Sequence, residues 1–136
     1  MCLKVFQNTL RALSGIYYAL YYVDLDNDLC YAAKSHDGEV VTQLCTPYRE
    51  TFDKYMDVVH PDDRDDVRNM LDAFNLRRML PEGSHFQRKE YRRMSGDGYR
   101  WAAIIIQPAR YENGRIKDVV VALRTLVGSR PDLDLE

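Results

Sequence analysis

Apolar residues follow two rhythms along this chain. Leu3, Phe6, Leu10 and Leu13 recur every three or four positions. That spacing predicts an amphipathic helix over residues 1–14, ended by Ser14-Gly15. Residues 16–23 are β-branched and aromatic and read as a strand, and Asp26-Asn27-Asp28 reads as the turn into a second strand over 29–33. Asp37-Gly38 and Pro47 punctuate the next stretch. Phe52, Tyr55, Met56 and Val59 suggest a short helix with one buried side. A longer helix starts at Pro61, with Val67, Met70, Leu71 and Phe74 as its core-facing stripe, and Pro81-Glu82-Gly83 closes the helical region. Three strands are expected last, over 86–94, 99–111 and 116–127, joined by hairpins at Gly96-Asp97-Gly98 and Asn113-Gly114.

Two strands, then helices, then three strands give an α+β fold. It is a five-stranded antiparallel sheet with helices inserted between strands 2 and 3, plus the N-terminal amphipathic helix. Residues 101–106 are apolar on both faces, which implies that both sides of that strand are covered. The inserted helices would cover one side, and the N-terminal helix or a second subunit the other. The chain divides into that helix, one domain over 15–128, and an acidic unpatterned tail over 129–136 that reads as a linker or cloning remnant. On this reading it is a piece of something longer.

Charge narrows the range of partners. With 19 basic and 21 acidic residues the chain is near neutral, and no basic cluster is interleaved with stacking aromatics. Nucleic acid is not an expected partner. Acids concentrate in 53–72 and bases in 88–124, which reads as a solvated helix face opposite arginine-edged strands, or as two surfaces for a head-to-tail contact. The apolar run over 12–23 is too short to span a bilayer, which takes about 20 residues. Cys2, Cys30 and Cys45 form no CxxC pair and no signal peptide precedes them, so reduced thiols and a cytoplasmic location are expected.

Candidate chemistry is sparse. Asp24, Asp26 and Asp28 have the spacing that opens a calcium loop, but Leu29 and Ser35 stand where such a loop needs Gly and Glu, so a strand-connecting turn is expected. His36, His60 and His85 lack ligand spacing, and no metal site is assigned. No nucleophile elbow, cysteine signature or phosphate loop is present, and no catalytic residue is assigned. The rival reading is a small cone-shaped α+β enzyme using a pocket Tyr or Asp as general acid or base. Alternation puts Tyr18 and Tyr22 on one face and Tyr17 and Tyr21 on the other, available for packing or for lining a ligand cavity. Tyr18, Tyr22, Tyr55, Met70 and Trp101 are the candidate ligand residues. Glu90 and Arg92 share a strand face and are expected in a cross-strand salt bridge rather than a binding role.

One ordered set of motifs stands out: Val59-His60-Pro61-Asp62-Asp63-Arg64, then Tyr91-Arg92-Arg93, then Asp97-Gly98-Tyr99-Arg100-Trp101. Locally, His60 suits an N-cap, Pro61 the first helical position, and Asp62 and Asp63 the positive end of a helix, while Gly96-Asp97-Gly98 suits a hairpin turn. Together they resemble the PAS family over roughly residues 12–127, with His60, Pro61, Asp62, Arg92, Gly98 and Trp101 carrying the likeness. The resemblance implies a non-enzymatic sensory input domain of a bacterial signalling protein, attached to a diguanylate cyclase or a histidine kinase. It implies homodimerisation, with Leu3, Phe6, Leu10 and Leu13 as the dimer helix, or a small organic ligand bound between the helices and the sheet, or both. No cofactor follows: Leu44-Cys45-Thr46-Pro47 is not the flavin motif of light-sensing members, and His60 is not placed as a haem ligand. Leu123-Arg124-Thr125-Leu126 stands where many members carry Asp-Ile-Thr.

Overall fold

The computed structural model describes residues 19–36, 39–96 and 98–126, with the side chains of 33–44 left aside. The expected N-terminal helix with Leu3, Phe6, Leu10 and Leu13, candidate Tyr18, and the tail all lie outside the described residues.

Six strands form one antiparallel sheet: β1 (Ala19–Asp24), β2 (Leu29–His36), β3 (Glu39–Pro47), β4 (Gln87–Ser95), β5 (Gly98–Glu112) and β6 (Arg115–Thr125). Their order across the sheet is β3-β2-β1-β6-β5-β4. Between β3 and β4 lie three helices, α1 (Tyr48–Tyr55), α2 (Arg64–Leu71) and α3 (Ala73–Met79), with short 3-10 turns at Met56–Val58 and Pro61–Asp63. The α+β architecture is as the pattern predicts, but the helices, expected between strands 2 and 3, lie between β3 and β4 because of an added strand.

The sixth strand is a correction. Residues 39–47 were expected to hold only punctuation, yet Val40, Val41 and Thr42 are β-branched and pair with Ser35, Lys34 and Ala33. The single long helix from Pro61 is a second correction. Asp72 leaves the helical conformation (φ −64°, ψ 130°) and its carboxylate accepts from the Asn75 N–H, so one helix ends and another is capped at the same residue. The apolar stripe loses its register there. Phe74 is 72% exposed, and Leu76 and Leu80, both fully buried, take the core positions instead.

The core lies between the sheet and the helices. Ala19, Tyr21 and Val23 pair with Leu123, Val121 and Val119, and Ile104 and Ile106 continue the layer on β5. Phe52, Met56, Val67, Leu71 and Leu76 press on it from the helices. On the other sheet face Leu20, Ala103 and Ala122 are also buried, while Trp101 and Ile105 are half-buried. Asn113 (φ 55°) and Gly114 (φ 77°) make the expected tight turn between β5 and β6. Pro108 is tolerated inside β5 because β4 pairs with that strand only as far as Ile106.

Candidate functional site

The ordered motifs converge on one joint between the helical layer and edge strand β4. His60 caps the 3-10 turn, its Nδ1 accepting from the Asp62 N–H at 3.1 Å, with Pro61 in the first position. The His60 N–H donates to the Arg92 carbonyl at 2.9 Å, and Val59 bridges to Arg93. Asp63 grips Arg92 three times: it accepts from the backbone N–H at 2.8 Å, from Nε at 3.0 Å and from Nη2 at 2.8 Å. Arg92 therefore holds the Asp63 carboxyl below the usual carboxylate range, against the opposing effect of partial burial. The Arg92 guanidinium also lies 5.6 Å from the centre of the Trp101 ring, and the His60 ring lies 4.6 Å from that of Tyr99. Gly98 opens β5 opposite Ser95.

This corrects the expected use of Arg92. Its partner is Asp63, and Glu90 pairs with Arg88 along the same strand at 2.6 Å. Lys89 meets Asp66 at 3.5 Å. The separation of acids and bases along the chain is thus partly resolved within the molecule, where α2 and the turn before it meet β4.

The space between helices and sheet is filled by aromatic rings in series. Tyr21 and Phe52 are 5.0 Å apart, Tyr48 and Phe52 5.2 Å, Phe52 and Tyr55 6.0 Å, and Tyr55 and Tyr91 6.3 Å. The hydroxyls of Tyr55 and Tyr91 are hydrogen-bonded to each other. Burial pushes the phenols of Tyr21 and Tyr48 well up, so both stay protonated.

Beside this series a cleft of about 250 Å³ opens between α1 and the α2–α3 junction. Tyr48, Phe52, Met56 and Leu71 form its floor, and Arg49, Asp53, Arg68, Asp72 and Asp28 its rim. The β1–β2 turn and β3 place the first wall: the Asp28 carbonyl and carboxylate accept from the N–H groups of Tyr48 and Arg49, both at 2.9 Å. The Tyr48 hydroxyl donates to the Leu71 carbonyl and ties the two walls together.

Of the five candidate ligand residues, the four that are described are not gathered in one place. Tyr55 and Met70 pack on the core side. Tyr22 and Trp101 lie on the far sheet face, paired with Val120 and Arg92. Tyr22 donates to Asp118 Oδ2 at 2.6 Å, and Arg110 Nε donates to the same oxygen at 2.9 Å. Burial, then the bond to Asp118, pushes the Tyr22 phenol up to about 12. The other oxygen of Asp118 is buried with no hydrogen-bond partner.

Sequence reasoning missed Tyr48 and Asp118, and it missed Arg92 as the partner of Asp63. A signal existed for Asp118, a lone acid inside an apolar strand. The partners of Tyr48 and Asp63 are set only by tertiary packing. Asp26, in the calcium-like spacing, is taken up by cations: Arg77 at 2.5 Å, Lys117 at 2.6 Å and Arg115 at 3.2 Å. Among the described residues, no group of His, Cys, Asp and Glu side chains is placed to hold a metal ion, and no helix is long and apolar enough to cross a membrane.

A family model described as PAS fold matches residues 48–123. The chain is similar to the sensory box histidine kinase/response regulator of Burkholderia thailandensis E264, with 19% identity, 91% of this chain and 88% of that one covered, and a TM-score of 0.50. It is also similar to an RNA-binding light-oxygen-voltage receptor, with 17% identity, 81% and 29% covered, and a TM-score of 0.50. A third likeness is to the N-terminal domain of a diguanylate cyclase with PAS/PAC sensor from Marinobacter aquaeolei, with 14% identity, 87% and 98% covered, and a TM-score of 0.48. At these identities the likeness is one of fold. No curated protein matches the chain.

Proposed function

The chain belongs to the PAS fold family, and from that premise we propose that it is a sensory input domain, itself non-catalytic, that regulates an attached effector. The observation that carries this is the family match over residues 48–123, which takes in the helical layer, the cleft apart from Asp28, the Asp63–Arg92 joint and most of the last three strands. A histidine kinase or a diguanylate cyclase is the effector proposed, by analogy of fold with the chains named above. The non-catalytic reading is supported by the tyrosines. A phenol pushed upward and donating to a carbonyl, as Tyr48 does, is poorly suited to act as a base. We place the domain in the cytoplasm, consistent with the free thiols of Cys30 and Cys45.

Two inputs are proposed. A small organic molecule enters the cleft between α1 and the α2–α3 junction, binding two states of the domain with different affinity. The ring series from Tyr48 through Phe52 and Tyr55 to Tyr91 leads from that cleft to β4. Dimerisation through Leu3, Phe6, Leu10 and Leu13 is the other input, with their stripe covering the apolar far face around Leu20, Ala103 and Ala122. Native mass spectrometry against the denatured mass tests the proposal. A retained small molecule, or twice the chain mass that drops to one when Leu3, Phe6 and Leu10 are made polar, is expected. A bare monomer would overturn it.

A further inference from the structure

We infer that the cleft recognises a free α-amino acid with an apolar side chain; this rests on the sensory reading above. Each wall of the cleft carries one guanidinium and one carboxylate, Arg49 and Asp53 on α1, Arg68 and Asp72 at the α2–α3 junction. Several of these charges are already engaged. Asp28 accepts from the Arg49 N–H, Asp72 from the Asn75 N–H, and Arg68 lies 3.6 Å from Asp65. The Arg49 guanidinium and the Asp53 carboxylate make no hydrogen bond or ion pair with any described residue, although they stand one helical turn apart.

A turn of helix rises about 5.4 Å, a spacing that one small zwitterion can bridge, its carboxylate on Arg49 and its ammonium on Asp53. A ligand with one charge would satisfy one of the two and leave the other partly desolvated and unpaired. Below the rim the floor is apolar, with Phe52, Met56 and Leu71 nearly closed to solvent. The cleft, about 250 Å³, leaves room for an aliphatic side chain to rest there.

Titration calorimetry with L-leucine, isoamylamine and 4-methylpentanoate as probes tests this. The three share a branched carbon skeleton and differ in which charges they carry. Leucine is expected to bind saturably, with each single-charge probe weaker by about tenfold or more, the worth of one charge-assisted hydrogen bond. Arg49→Gln should erase the advantage of leucine over the amine, and Asp53→Asn its advantage over the acid. Both side chains are exposed, so neither change should disturb folding. No saturable heat with leucine, single-charge probes that match it, or unchanged preferences in both variants would overturn the inference. A dimeric protein that ignores leucine refutes the ligand class alone, whereas a bare monomer that ignores it refutes the sensory reading as well.

Discussion

Two side chains carry consequences out of proportion to their size. The Tyr48 hydroxyl closes the floor of the cleft by donating to the Leu71 carbonyl, which has no helical partner because α2 ends at that residue. Tyr48→Phe keeps the ring against Phe52 but leaves a buried acceptor unpaired, so chemical denaturation should show a loss of about 1–3 kcal/mol. An unchanged midpoint would mean that the carbonyl finds another donor. Asp63 is the second. Its carboxyl is held below the ordinary value by Arg92, so its stabilising effect is complete only above about pH 5, where the unfolded carboxyl is almost fully ionised. The effect is then lost as pH falls through the depressed native value. The stability gap between the wild-type chain and Asp63→Asn, read by urea unfolding, should be widest at neutral pH and close on acidification. A gap independent of pH would show that the Asp63–Arg92 bond is not the source.

At the scale of elements, α2 and α3 show what local pattern determines and what it does not. Val67 and Leu71 sit in the core as their spacing predicts, but Phe74, next in the same stripe, does not. Asp72 is the reason, since an acid can cap a new helix as readily as continue an old one, and only the packing of Leu76 and Leu80 decides between them. Leu76→Ala should therefore cost about 2–5 kcal/mol by cavity formation, while Phe74→Ser should stay within about 0.5 kcal/mol. Equal losses in thermal or denaturant unfolding would contradict the two-helix arrangement. The strands after the helices were legible because Asn113-Gly114 and Gly96 fix their turns and alternation fixes their faces. β3 was less so, because its β-branched residues are bounded by breakers at both ends and no partner is visible until β2 is seen to extend to His36. The motif residues announced a helix start and a hairpin. That these would be tied together by Asp63 and Arg92, 29 positions apart, is a fact of the folded sheet.

For the whole molecule, the arrangement is a sheet whose helices are tied down at several points, two of which frame the aromatic series. One is the cleft side, where Asp28 fixes the start of α1, and the other is the β4 edge, where Asp63 grips Arg92. The aromatic series runs between them, and β6, the last strand, lies at the middle of the sheet between β1 and β5. A molecule wedged into the cleft would press on Tyr48 and Phe52, and a change there could reach β4 through Tyr55 and Tyr91 with no loss of the fold. We propose that this domain sets the activity of an attached effector. The most direct measurement is effector output from the full-length protein, compared with the same protein lacking residues 15–128. Removing the domain should change basal output severalfold and abolish any response to ligand. Output that is the same with and without it would mean that the domain does not regulate the effector.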